Sequence, residues 1–153
     1  MEMEDDKRGF TVMELFIIAI VVCIVVAVAV PRFSMARSRG KLSDMVSKLQ
    51  QVRSQIALYK VQHDGLLPGQ NAKGSDIAED GFVKAMTEKD STGFGPYLRE
   101  IPANCFIEGE SAKKITLVND TDAIPGGDEE TGWWFNAATE KFCASDSKFH
   151  AEY

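Results

Sequence analysis

The sequence has little of the chemistry on which active sites and metal centres depend. Among 153 residues there are only two histidines, His63 and His150, and three cysteines, Cys23, Cys105 and Cys143. No C-x-x-C pair and no cysteine–histidine cluster occurs, which argues against a structural zinc site. Neither histidine accompanies a nucleophile motif, and there is no glycine-rich phosphate loop. We therefore expect a protein that is not an enzyme and that, calcium aside, needs no cofactor.

A basic surface is missing as well. The formal charge is -6, which argues against a nucleic-acid partner, because phosphate binding relies on clustered lysine and arginine. The acidic residues are spread along the downstream part of the chain, as on a solvated surface. The length is that of one ordinary domain.

Charge is absent from one long run near the N-terminus. Residues 15–30 contain no charged or strongly polar side chain. With residues 10–13, and with Glu14 as the interruption, they approach the roughly 20 residues that span a bilayer. A lone segment in lipid must satisfy its own backbone, so we predict a transmembrane helix over 10–31. Cations on both sides of the run leave its orientation open.

Two processing sites compete in this region. An ordinary signal peptidase would recognise the A-x-A run Ala27–Ala29 and release a soluble, secreted binding module that starts at Val30. The acidic residues before the apolar run and Glu14 inside it argue against that site. The second site is the bond between Gly9 and Phe10, whose cleavage would leave the apolar run on the mature protein.

The stretch RGFTVMEL, residues 8–15, resembles the processing motif of type IV pilins and type II secretion pseudopilins. In that family a prepilin peptidase cuts after the glycine, the new N-terminal phenylalanine is N-methylated, and the fifth mature residue is a glutamate. Gly9, Phe10 and Glu14 stand at these places, and Pro31 stands where the family commonly has a proline. The resemblance implies a leader peptide over 1–9, N-methylation of Phe10 and an assembly role for Glu14. It also implies that the helix over 10–31 exchanges the membrane for the core of a filament.

Glu14 needs a partner, because a carboxylate in hydrocarbon is costly. Cleavage after Gly9 would create one in the amino group of Phe10, about 6 Å away along a helix. The pair would form within one chain or between staggered neighbouring chains, where it would fix registry. The alternative is a glutamate that reaches interfacial water.

A second helical pattern follows the apolar run. Pro31 removes a backbone donor, so we predict a kink there. An amphipathic continuation is predicted over 32–64, and HDGLLPG ends it, with Gly65 as a left-handed cap. His63 is expected to cap the helix or to be solvated. The apolar residues recur at spacings of three and four; they are Leu42, Met45, Val46, Leu49, Val52, Ile56 and Tyr59.

Residues 65–153 are predicted to form a small α+β head. A short helix is expected between Asp76 and Lys89, a strand at KITLVN, and a hairpin from GWWFN and KFCAS. We expect about three antiparallel strands packed on the amphipathic helix, in the pilin-like fold that the resemblance implies. GPYLREIPANCF and GWWFNAATEKFCAS resemble segments of major pseudopilins, with Cys105 replacing a proline and Glu140 replacing a turn glycine.

Two further expectations concern this head. If it is exported, Cys105 and Cys143 are its candidate disulfide, with separate buried thiols as the alternative. Major pseudopilins often bind calcium in a C-terminal loop, and Asp120, Asp122 and Asp128 are oxygen donors of a suitable type. A solvated acidic loop is the favoured interpretation of these residues.

The resemblance implies a structural subunit of a pilus-like or pseudopilus filament. Such a subunit is a single-pass protein of the bacterial inner membrane, with its head in the periplasm or, once assembled, outside the cell. Its partners would be other pilin-like subunits, membrane lipid before assembly, a prepilin peptidase, an inner-membrane platform protein and an assembly ATPase. The sequence leaves open whether the filament serves protein secretion, adhesion, motility or DNA uptake.

Overall fold

The computed structural model describes residues 9–127 and 130–153, without the side chains of residues 29–36. Its helices are α1 (Val12–Gln62) and α2 (Glu79–Thr87), with 3-10 turns at Gly109–Lys113 and His150–Glu152. Its strands are β1 (Ile115–Val118), β2 (Trp133–Asn136) and β3 (Lys141–Ala144). The chain divides into two compact units, Met1–Gly40 and Lys41–Tyr153. The α+β class is confirmed.

The first unit contains the N-terminal part of α1. Residues 9–11 precede the helix without regular structure, and the helix then runs through position 31. The side chain of Pro31 lies outside the described part, so the kink stays a prediction. In the part of the chain that the structure describes, no helix combines the length and hydropathy that a membrane span requires.

In the second unit, α1 contributes the predicted apolar stripe to the core. Met45, Leu49 and Val52 are fully buried, and Ile56 and Tyr59 are nearly so. Each such burial stabilises the fold by roughly 1.5–3 kcal/mol. This face packs in one core with residues of α2 and of the sheet; they include Phe82, Met86, Trp133, Phe135, Phe142 and Ala144. The prediction that the sheet covers the amphipathic helix is confirmed.

The sheet is mixed, so the expectation of three antiparallel strands was wrong for one pair. β2 and β3 are antiparallel and form the predicted hairpin through residues 137–140. β1 is parallel to β2, so the chain has to return to the end from which β1 started before β2 begins. A parallel pair needs such a crossover of a dozen or more residues. The composition of a strand does not encode its direction.

Two turns have the backbone that the sequence indicates. Gly65 follows α1 with a φ of 83°, and its N–H donates to the carbonyl of Lys60 at 2.8 Å. Asp64, with a φ of 52°, is left-handed as well, so the predicted left-handed end of the helix is present but begins one residue before Gly65. Glu140 closes the hairpin with a φ of 57°, a conformation that glycine adopts without steric cost. The turn glycine of the resembling proteins therefore has a physical reason.

His63 caps the last turn of α1 and is not solvated. Its Nδ1 lies 2.9 Å from the carbonyl of Tyr59, and its ring stacks on that tyrosine at 3.8 Å between centroids. Its Nε2 lies 2.8 Å from Oδ2 of Asp90. The contact with Asp90 ties the end of α1 to the loop after α2, a long-range link that a pattern of neighbouring residues does not reveal.

Acid should weaken this link through Asp90. The hydroxyl of Thr92 donates to the carboxylate, His63 and the N–H of Phe94 add hydrogen bonds, and the pKa of Asp90 falls from 3.8 to about 2. Stability from a depressed carboxyl pKa is present above about pH 4 and is lost as the pH falls toward 2. Asp90→Asn should flatten the melting temperature between pH 4 and pH 2. An unchanged slope would contradict the assignment.

Gly132 has no room for a side chain. A Cβ there would lie 2.7 Å from the carbonyl carbon of Ala112. Hydrogen bonds of 2.8 Å from its N–H to Ser111 and from Asn104 to its carbonyl hold the segment in place. Gly132→Ala should lower the unfolding free energy by about 3 kcal/mol.

The matched control is Gly40, which is helical and has nothing within 4 Å of an added Cβ. Gly40→Ala should instead gain up to about 1 kcal/mol, because alanine favours the helix. Denaturant titrations of both variants provide the measurement. Equal effects from the two substitutions would show that the close approach at Gly132 is not the cause.

Candidate functional site

α1 begins with reciprocal hydrogen bonds between Thr11 and Glu14. The backbone N–H of Glu14 donates to the Thr11 hydroxyl at 3.2 Å, and the backbone N–H of Thr11 donates to Oε2 of Glu14 at 3.2 Å. The carbonyl of Thr11 also accepts from the N–H of Leu15 at 3.1 Å. Because α1 starts at Val12, Thr11 is the N-cap and Glu14 the third helical residue, which is a capping box.

The capping box changes the interpretation of Glu14. From the sequence, its carboxylate is expected to lack a partner until cleavage creates the amine of Phe10. In the structure, Thr11 of the same chain already provides that partner. The residues TVME fit the S/T-x-x-E capping signature before an apolar run, so the signal was present in the sequence and was missed. The helix dipole favours an acid at this end as well.

The proposed scissile bond lies just outside the helix. Gly9 and Phe10 are both exposed, and nothing lies within 4 Å of a Cβ added to Gly9. A helix that begins at Val12 leaves the bond between them in chain without regular structure. This geometry suits a peptidase, while cleavage and N-methylation themselves stay predictions.

The apolar part of α1 presents large side chains in every direction. Between Phe10 and Val28 their exposed fractions range from 46% at Ile18 to 86% at Val12. A helix that is apolar all round belongs inside a larger assembly or in lipid. An exposed apolar surface of this length marks an interaction site. Ala27 and Val28 of the competing signal-peptidase site lie within this same helix.

Cys105 and Cys143 are free thiols, and the candidate disulfide is not formed. Cys143 is buried with Trp134 and Ala151 on one face of the sheet. Cys105 packs against the core on the other face, and its Sγ donates to the carbonyl of Lys41 at 3.1 Å. Burial raises the pKa of both thiols. Side chains of neighbouring residues on a strand point to opposite faces. Cys143 therefore points away from the core that Cys105 contacts, and the sheet keeps the two cysteines apart.

Two of the calcium candidates, Asp120 and Asp122, are exposed at a turn. The N–H of Asp122 donates to Oδ1 of Asp120 at 3.0 Å, while Asp128 lies outside the described residues. Within the described ranges, no three histidine, cysteine or acidic side chains lie close enough to hold a metal. Calcium binding stays a prediction, which calorimetric titration with calcium and with a chelator would test.

Comparisons with known proteins give one weak similarity. No protein-family model matches the chain, and no solved structure matches it. Over 79 residues the chain is 22% identical to the ComG operon protein 3 homolog of Bacillus licheniformis. The match covers 52% of this chain and 77% of that protein. This similarity suggests a pilin-like protein.

Loss of the Thr11 hydroxyl should loosen the start of α1. Thr11→Ala removes the acceptor for the Glu14 N–H and should cost the first turn about 1 kcal/mol. Amide hydrogen exchange at Glu14 and Leu15 should become about fivefold faster in the full-length chain in detergent. Thr11→Ser keeps a hydroxyl and should exchange like the unchanged protein. Equal rates in the alanine and serine variants would contradict the capping box.

Proposed function

We propose that the protein is a structural subunit of a pilus-like filament. The observation that supports this most strongly is the exposed apolar surface of α1 between Val12 and Val28. Residues 12–28 would form about 25 Å of helix at 1.5 Å per residue. In the proposal, the same helix of neighbouring copies covers this surface in the filament, and membrane lipid covers it before assembly.

The proposal gives Glu14 two successive partners. In the unprocessed chain its carboxylate accepts from the backbone of Thr11. Cleavage after Gly9 would place a charged amine on Phe10, directly before the capping residue. Glu14 would then bind that amine in its own chain or in the next. A buried carboxylate that depends on a correct neighbour contributes registry more than stability.

The remaining parts of the proposal rest on the RGFTVMEL resemblance. A prepilin peptidase would cut and methylate the chain, and a platform protein with an assembly ATPase would build the filament in the inner membrane. The weak similarity to the ComG operon protein 3 homolog supports the class of subunit. It leaves the pathway open, so type II secretion is one of several settings for this filament.

The mature N-terminus tests the processing step. Mass spectrometry of the protein from its native host should find a chain that starts at Phe10 and carries N-methylation. Gly9→Leu should accumulate the uncut chain, because the glycine is the residue that the motif places before the cut. Gly40→Ala serves as a control glycine that should be processed normally. A mature chain that starts at Val30 would instead support the secreted binding module.

Three variants separate the charge of Glu14 from its capping role. Glu14→Gln keeps a side chain that can complete a capping box but removes the charge. Thr11→Ala keeps the charge and removes the cap, and Glu14→Ala removes both. If registry depends on charge, Thr11→Ala should form filaments under electron microscopy and both Glu14 variants should not. Normal filaments from Glu14→Gln would overturn the registry role.

A further inference from the structure

The sheet of the second unit has an edge strand on each side. The strand order is β1-β2-β3, so β1 and β3 are edge strands. An edge strand presents N–H and C=O groups with which a strand of another chain can pair, and natural proteins block such pairing with charges or covering segments. The backbone groups that point away from the sheet on each edge therefore decide whether another strand can pair there.

On β1 the hydrogen-bond register decides which residues point outward. The carbonyls of Lys114 and Val118 accept from the β2 side at 3.1 and 2.7 Å. Parallel pairing alternates along the strand, so Ile115 and Leu117 direct their backbone groups outward. The outward N–H of Ile115 donates to Oε1 of Glu79 at 3.1 Å. Glu79 is the first residue of α2, so that helix carries a carboxylate to this edge.

On β3 the corresponding group is a carbonyl. Cys143 pairs with Trp134, and the N–H of Ser145 also donates to the β2 side, at Gly132. The backbone groups of Phe142, between these two residues and Lys141 in the alternation, therefore point away from β2. The outward carbonyl of Phe142 accepts from Nε of Arg53 at 2.8 Å. The side chain of Arg53 is partly buried beside the strand, and burial lowers its pKa.

Arg53 also binds the C-terminal segment beside the same edge. Its Nη1 donates to the carbonyl of Tyr153 at 2.7 Å, next to the 3-10 turn His150–Glu152. The two edges thus have the same kind of contact: at each, a helix supplies a charged side chain to an outward backbone group. The acceptor Glu79 meets a donor of β1, and the donor Arg53 meets an acceptor of β3.

We propose that Glu79 and Arg53 block strand pairing between copies of this chain. A strand arriving at β1 would have to displace the carboxylate from Ile115, and one arriving at β3 would have to displace the guanidinium from Phe142. Copies held side by side experience an effective concentration of the order of millimolar, at which open edges would associate. The crowding of copies rests on the proposed filament, whereas the edge contacts of Glu79 and Arg53 belong to the second unit alone and are tested on dispersed chains.

The test uses the full-length chain in detergent at rising concentration. Infrared spectroscopy would measure the intermolecular β signal in the amide I band. Glu79→Ala and Arg53→Ala should reach half of that signal at a concentration about tenfold lower than the unchanged chain, because each loses a hydrogen bond to a charged group. Glu79→Gln keeps an acceptor without its charge and should lie between. Glu100→Ala removes an exposed acid that pairs with Lys113 at 2.6 Å and should behave like the unchanged chain.

Amide hydrogen exchange distinguishes strand pairing from aggregation of unfolded protein. In associated Glu79→Ala the outward amide of Leu117 should become protected while the core amides of β2 stay protected. If Arg53→Ala does not fold, the Glu79 pair of variants decides alone. The proposal is overturned if Glu79→Ala associates no more readily than Glu100→Ala, or if it associates without protection at Leu117.

Discussion

The apolar surface of α1 between Val12 and Val28 sets the main constraint on this protein. Its side chains remain about half exposed or more, and water is a poor environment for a helix that is apolar on all sides. In the proposed filament, neighbouring copies cover this surface. The capping box at Thr11 and Glu14 is compatible with such a cover, because it gives Oε2 of the acid and two backbone N–H groups at the start of the apolar helix partners within the chain.

The later part of the same helix is instead covered by its own chain. Its apolar stripe is buried in the core of the second unit, and its cations bind their own chain. Lys48 donates to the carbonyl of Ala103 at 3.1 Å, Arg53 donates to Phe142, and Lys60 pairs with Glu140. The first part of this helix therefore exposes an apolar surface, whereas its later part packs in the core of a small α+β unit. The residues that bring about this change are recognisable in the sequence.

Local patterns predicted the elements better than the contacts between them. The spacing of Met45, Leu49 and Val52 predicted the buried face of α1, and Gly65 predicted its end, because both depend on neighbours in sequence. The direction of β1 depends on a crossover, which strand composition does not encode. The buried Asn104 was also missed: its Nδ2 donates to Gly132 and to Asp146 at 2.8 Å. Only the folded chain brings these three segments together.

The natural cysteines provide the most direct measurement of the central claim. Cys23 is exposed on the apolar helix, Cys105 is partly exposed and Cys143 is buried. A polar maleimide would be applied to detergent-dispersed chains and to assembled protein. The extent of labelling would measure the accessibility of each thiol, with the buried Cys143 as the unlabelled reference. The account predicts that Cys23 reacts in dispersed chains and is protected after assembly, while labelling of Cys105 changes less. Equal labelling of Cys23 in both states would contradict the claim that neighbouring copies cover this helix.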